Sequence, residues 1–239
     1  MPQALVTGAT SGIGRAIALA LHDAGYQVVA FGRDPDALAD LQARGMRTLA
    51  VEMTDRDALR QAVQGLAPDV LVNNAGMVPP LGHFCDARDE DIDAAVALNL
   101  SSVLALTRMV APGMRERGHG HIFFTGSVAG HAPFANMAVY CATKAAIGGF
   151  AQALRLELAP FGPRVTEIVA GRVETALYNT ILPEGERAAM YAGGSAVQPP
   201  DVAAMVMAVM ALPPNVDVAR FDILPLNPAS VSGATSKDK

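Results

Sequence analysis

The sequence predicts an α/β chain: a doubly wound sheet of seven parallel strands with helices on both faces, in a single domain. Short β-branched runs alternate with helical stretches along most of its length, the pattern of repeated strand, helix, strand units. The first of these runs passes straight into a glycine-rich turn, Thr7-Gly8-Ala9-Thr10-Ser11-Gly12-Ile13-Gly14, that opens a helix. At 239 residues the chain is long enough for one large core, and no repeat, linker or charge block divides it.

Taken in order, strands are expected at 4–7, 27–31, 48–51, 69–72, 121–125, 165–169 and 220–224, each a short apolar or β-branched run. Helices are expected in the gaps, at 13–24, 35–44, 56–66, 90–117, 140–158 and 201–212, where apolar residues recur at helical spacing. Pro112 should bend the fourth of them, because it lacks an amide proton and crowds the preceding turn. Between 171 and 199 the periodicity weakens, and so long an irregular stretch in a compact domain predicts a substrate lid near 172–198. The small, polar residues 230–239 predict a flexible tail, leaving 1–229 as the folded domain.

Composition removes several classes of function. The densest apolar runs, such as 203–212, end at prolines well short of the roughly 18 residues a membrane span requires. With no basic or apolar leader at the N-terminus, a cytoplasmic location is expected. Cys85 and Cys141 are far apart and lack C-x-x-C spacing, so they are expected as reduced thiols. The net charge of −5 and the absence of a Lys/Arg block argue against a nucleic-acid partner and for a small molecule. His119 and His121 share a strand entry without a third ligand, which predicts a surface turn and no metal.

The chemistry is expected in Tyr140-Cys141-Ala142-Thr143-Lys144, which enters an apolar helix. Residues four apart share a helix face, so the phenol of Tyr140 and the ammonium of Lys144 project together. An unperturbed phenol titrates near about 10, and a neighbouring cation favours its ionised form. Ser127 follows the fifth strand, 140 − 127 = 13 residues before Tyr140, where an open sheet places its ligand crevice. In the first turn, Gly8, Gly12 and Gly14 leave the backbone bare, so that a pyrophosphate can approach the helix N-terminus. The second strand ends Phe31-Gly32-Arg33-Asp34: arginine there accommodates a 2′-phosphate and favours NADP, while the adjacent Asp34 keeps NAD open. In Asn73-Asn74-Ala75-Gly76, small residues let the chain pass close to a ligand and amide side chains can tie strands together.

Together these motifs resemble the short-chain dehydrogenase/reductase family in its compact branch, whose sheet is of the Rossmann type. The likeness extends to about Pro225. It implies a phosphate turn of Thr7, Gly8, Ser11, Gly12, Ile13 and Gly14, and an adenosine site with Arg33, Glu52, Met53, Asn73, Ala75 and Gly76. Gly171, Val173 and Thr175 match residues that touch the nicotinamide carboxamide or a phosphate. Two residues depart from the family pattern: Ala170 stands where proline is usual, and Glu52 where aspartate is. The implied catalytic set is Asn99, Ser127, Tyr140 and Lys144. Ser127 would hold the substrate oxygen while Tyr140 exchanges its proton. Lys144 would lower the Tyr140 pKa and bind the nicotinamide ribose, and Asn99 would help hold a relay water near Lys144.

Residues 164–168 and 212–216 look similar to the NADP-dependent 3-hydroxy acid dehydrogenases of the family. That implies hydride transfer to or from a small polar substrate such as a 3-hydroxy acid. Ketoacyl thioesters, sugars, polyols and ketones remain open as other carbonyl classes, and a non-catalytic cofactor sensor as another kind of function. Specificity is expected from 77–81, 131–137 and 176–194, with Arg172 or Arg187 as carboxylate partners. The family's habit of pairing through helices near 100–117 and 140–158 implies a homodimer or homotetramer.

Overall fold

The computed structural model describes residues 1–179 and 181–227. The tail expected at 230–239, the end of the expected domain at 228–229 and Thr180 of the expected lid lie outside the described residues.

All seven strands form, within two residues of their expected limits: β1 (Gln3–Thr7), β2 (Gln27–Gly32), β3 (Arg47–Ala50), β4 (Val70–Asn73), β5 (His121–Thr125), β6 (Arg164–Ala170) and β7 (Arg220–Ile223). They make one sheet in the order β3-β2-β1-β4-β5-β6-β7, and every pairing is parallel. The chain runs outward from β1 to β3 and then restarts at β4 on the other side of β1. At that reversal the loops after β1 and β4 part, and a crevice opens at the carboxyl edge.

Both faces are covered, as the strands' side-chain alternation requires. Ala4, Val6, Val28, Ala30, Val72 and Phe123 point to one face. There they meet Ile17 and Leu21 of α1 (Gly12–Asp23), Leu41 of α2 (Pro35–Ala43) and Val202 and Val206 of α8 (Pro199–Met210). Leu5, Val29, Phe31, Leu71, Ile122 and Phe124 point to the other. Their partners are Leu59 of α3 (Arg56–Val63), Leu106 and Met114 of α5 (Ser102–Arg117), and Ile147 and Leu154 of α6 (Ala138–Leu158). Each of the larger side chains here stabilises the fold by about 1.5–3 kcal/mol, so one shifted strand register would expose several at once.

The structure departs from expectation in four places. The helix expected at 90–117 is α4 (Asp89–Val96) and α5 joined by a π-helical turn, Ala97–Ser101, and α5 continues through Pro112 to Arg117. By length and composition the stretch Asp89–Arg117 could cross a membrane, which the reading from apolar runs did not anticipate, but half of its most apolar window is buried inside this fold. The expected lid holds a helix of its own, α7 (Glu184–Tyr191). His121 is not on a surface turn. It is buried, stacks on Phe123 at 4.0 Å between centroids and bonds Thr166 Oγ1 through Nε2 at 2.8 Å. His119, the other of the pair, is exposed, beside Asp69. No cluster of three potential metal ligands occurs among the described residues.

Candidate active site

The glycine-rich turn is built for close approach. Gly8 has φ +62°, and a Cβ on Gly14 would lie 2.3 Å from the Gly8 carbonyl oxygen and 2.4 Å from Asn74 Nδ2, so only a bare Cα fits there. Ser11 caps α1 through its extended backbone, yet its side chain makes no capping hydrogen bond, and the first turn carries no acidic residue. The leading amides of α1 are thus left without a side-chain acceptor, and the dipole end is open to an anion.

Asn74 fastens this turn to the sheet. Its Nδ2 donates to the carbonyls of Thr7 (3.1 Å) and Gly8 (3.3 Å), and its Oδ1 accepts from Thr125 Oγ1 at 3.2 Å. One side chain therefore spans the ends of β1, β4 and β5. The Thr7 hydroxyl completes the tie, accepting from the amides of Asn74 and Ala75 and donating to Val72 O.

Ser127, Tyr140 and Lys144 converge at the carboxyl edge of β5, each under a tenth exposed. Ser127 heads the short turn Val128–Gly130 and faces the Tyr140 phenol. Lys144 Nζ lies 5.7 Å from the Tyr140 ring centroid, so the two groups do share a face, and it donates to Thr125 O at 2.7 Å. The cation does not leave the phenol more acidic than usual. Burial pushes the Tyr140 phenol well above its ordinary value, Tyr178 and Cys141 add to the rise, and the Ser127 hydroxyl only partly opposes it. Burial also lowers Lys144 from 10.5 to about 8, against the pull of the Glu167 carboxylate. The arrangement at neutral pH is thus a protonated phenol beside a largely charged amine: a proton donor.

Comparison with known proteins agrees with this geometry. Residues 2–185 match the family model described as short chain dehydrogenase. The chain belongs to the short-chain dehydrogenase/reductase family. It is 46% identical over 224 residues, 93% of this chain and 90% of the other, to an uncharacterized short-chain type dehydrogenase/reductase of Sinorhizobium fredii. It is 35% identical over 233 residues, 93% of this chain and 94% of the other, to the NADP-dependent 3-hydroxy acid dehydrogenase YdfG of Salmonella typhi. Among solved structures, it superimposes on the closed form of serine dehydrogenase complexed with NADP+ with a TM-score of 0.92 at 32% identity, covering 99% of this chain and 100% of that one.

In this short-chain dehydrogenase/reductase the side chains of several expected ligand residues are engaged within the fold. The side chains of Thr7 and Asn73 are buried within the protein, the latter donating from Nδ2 to Thr107 Oγ1 at 3.2 Å. Met53 and Val173 are buried in the cores, so only their backbones could touch a cofactor. The isolated parallel bridge between Val173 and Val197 uses the Arg172 carbonyl and the Glu174 amide. In parallel pairing that turns Val173's own amide and carbonyl to the opposite edge. Thr175 lies over Gly12, whose added Cβ would meet its Cγ2 at 2.9 Å, so it does reach the phosphate turn. Gly171 is pinned by its amide to Ile223 O at 2.9 Å, which holds the turn after Ala170 without a proline.

Asn99 sits in the π-helical turn, and its side-chain amide is engaged by Met77 and Thr143. Oδ1 accepts from Met77 N and Nδ2 donates to Met77 O, both at 2.8 Å, with Thr143 Oγ1 at 3.3 Å from Nδ2. It ties the segment after β4 to the helix bearing Tyr140. Asp34 is engaged locally through one oxygen: its Oδ1 accepts the amides of Asp36 and Ala37, both at 3.0 Å, capping α2. Arg33 remains exposed at the end of β2, 3.4 Å from Glu52.

Beside Tyr140 a cleft of about 360 Å³ opens between Val78, Pro80 and Leu81 on one wall and Asn136 and Met137 on the other. Arg172 is not among the residues that line it, and its guanidinium donates to Met190 O at 3.1 Å, clasping α7. Sequence reasoning missed one charged group near the centre. Glu167 lies on β6, 1% exposed. A carboxylate among Val165, Ile168 and Val169, in a strand covered on both faces, was the available signal, since a buried charge has to find a partner.

Proposed function

We propose that this chain is an NADP(H)-dependent oxidoreductase that moves hydride between the nicotinamide and the carbonyl or alcohol carbon of a small polar substrate, such as a 3-hydroxy acid. The observation that carries it is the convergence of Ser127, Tyr140 and Lys144 beside a turn shaped for a pyrophosphate. The open α1 terminus and the glycine cradle fit a dinucleotide, and Arg33, with Asp34 engaged in a helix cap, fits a 2′-phosphate. The names of its NADP-dependent relatives support the same cofactor and substrate class.

When bound, the nicotinamide supplies or accepts the hydride. Ser127 holds the substrate oxygen by a hydrogen bond, and the neutral Tyr140 phenol delivers its proton to that oxygen during carbonyl reduction. Lys144 places positive charge beside the phenol and so stabilises the phenolate left behind. The cleft beside Tyr140 suits a compact substrate. An apolar groove lined by Ile92, Val96, Leu100, Val139 and Ala142 supports assembly as a homodimer or homotetramer.

The test is absorbance of reduced nicotinamide with NADP or NAD against 3-hydroxy acids, polyols, ketones and aldehydes. NADP-linked turnover of a 3-hydroxy acid, lost by at least about 100-fold in Tyr140→Phe, is expected. Turnover only of a ketoacyl thioester, or equal turnover in the Phe variant, overturns the assignment.

A further inference from the structure

We propose that Glu167 is a positioning residue: its buried carboxylate packs between the turn that carries Ser127 and the helix that carries Lys144, and supplies negative charge toward the Lys144 ammonium. The inference rests on the functional reading above for its consequence in catalysis, though not for its structural content.

The geometry is specific. The Glu167 carboxylate lies between two glycines, one on each element it packs against. An added Cβ on Gly126, the residue before Ser127, would stand 2.3 Å from Glu167 Oε1, and one on Gly148 of α6 would stand 3.2 Å from the same atom. Gly148 is one turn beyond Lys144, so the carboxylate and the amine address the same helix face. Oε1 bonds His131 Nε2 at 3.0 Å, and His131 closes the turn that Ser127 begins. His131 Nδ1 in turn lies 3.4 Å from the Arg220 guanidinium, which can only donate. That fixes Nδ1 as the acceptor and Nε2 as the proton-bearing atom facing Glu167. Arg220 also pairs with Asp222 at 3.3 Å.

A chain of contacts thus runs inward from the surface, Asp222, Arg220, His131, Glu167, and stops short of Lys144, whose amine bonds Thr125 O. Toward Lys144 it ends in a negative group, and Glu167 is the charge that opposes the loss of the Lys144 proton through burial. Other groups near the amine include the neutral Thr125 carbonyl and the Tyr140 phenol, with Tyr178 beyond it. Glu167 Oε2 is buried and has no hydrogen-bond partner among the described residues, so Glu167 is not held there by a saturated network of its own. A group kept only for packing would be better replaced by an apolar side chain, since a buried charge is costly.

The lysine content makes a direct test practical: Lys144, Lys237 and Lys239 are the three lysines of the chain. In full-length protein labelled with ¹³C-lysine, the Lys144 resonance, assigned by its loss in Lys144→Met, is titrated in wild type and in Glu167→Gln. The midpoint is expected to fall by about one pH unit when the charge is removed, and Glu167→Asp is expected to restore most of it. Should Glu167→Gln not fold, Glu167→Met carries the same test, because apolar replacement of a buried charge often leaves a fold intact. An unchanged midpoint in the folded variant overturns the proposal, whether or not the protein turns over any substrate. If wild type proves inactive with every nicotinamide and substrate, the functional reading falls, while a shifted midpoint still establishes the electrostatic role. In active protein, the alkaline limb of kcat/KM should move down with the midpoint, which a purely structural carboxylate would not cause.

Discussion

Lys144 Nζ donates to the carbonyl of Thr125 at 2.7 Å, joining α6 to the end of β5. The bond holds the amine in a site that water scarcely reaches, and the lysine is lowered from 10.5 to about 8 by burial, with Glu167 opposing. Between those two pH values the unfolded chain binds a proton that the folded chain does not, so folding gains stability as pH rises. Relative to Lys144→Met, wild type should gain up to about 3 kcal/mol between pH 8 and pH 10.5. Urea unfolding of both proteins across that range measures it, and parallel pH curves would contradict the buried-amine account.

His121 should govern acid stability. Burial first, and Arg164 second, lower its pKa from 6.5 to about 3. The folded state therefore refuses a proton that the unfolded state takes up below 6.5, and stability is lost as pH falls from there toward 3. The loss attributable to this one ring is on the order of 4–5 kcal/mol by the lower end. In His121→Leu the difference from wild type should shrink or reverse on acidification. Thermal melts at pH 7, 5.5 and 4.5 provide the comparison, and an equal acid loss in both proteins would assign the lability elsewhere.

Arg33 should set cofactor choice. It is exposed, one residue before a carboxylate that is engaged in capping α2, and its neighbour Glu52 is itself held by the amide and hydroxyl of Thr54. A charge-assisted bond from the guanidinium to a 2′-phosphate contributes about 1.5–3 kcal/mol. Arg33→Ala should weaken NADP about 10- to 100-fold and leave NAD within about twofold. Fluorescence titration of both reduced cofactors decides it, and equal weakening of the two would point to a collapsed loop.

What could be read from the sequence was what depends on local spacing. The strands, the glycine turn and the shared face of Tyr140 and Lys144 all follow from periodicity or from residues a few positions apart. How deep Tyr140 lies does not, and that depth, set by the segments packed over it, outweighs the cation beside it. Glu167 and His131 are 36 residues apart and meet only because β6 pairs with β5. The π-helical turn at Asn99 leaves the apolar pattern around it unbroken, so it shows only in the backbone. The cap formed by Asp34 was legible on different grounds: an aspartate just before a proline that opens a helix is a capping signal. The helix Glu184–Tyr191 was masked by Gly185 in its first turn, although Pro183 and two early glutamates mark its start.

Asn74 should prove the most costly polar residue to remove from the crevice. Its amide joins the ends of three strands through Thr7, Gly8 and Thr125, and in Asn74→Ala the two carbonyls lose a donor while the Thr125 hydroxyl loses its acceptor. Partly buried groups orphaned in this way cost about 1–3 kcal/mol each when water cannot replace the partner. At this edge water has some access, so a net loss of about 2–3 kcal/mol is expected, equivalent to about 5–10 °C in Tm for a domain of this size. Thr125→Val removes only one of the three links and should lose less than half as much. Because Asn74 Nδ2 also packs against the position a Gly14 Cβ would occupy, its loss should loosen the phosphate turn and raise the Kd for either cofactor together. Melting curves and cofactor titrations on both variants separate these effects, and an Asn74→Ala protein as stable as wild type would show that β1, β4 and β5 hold their ends together without it.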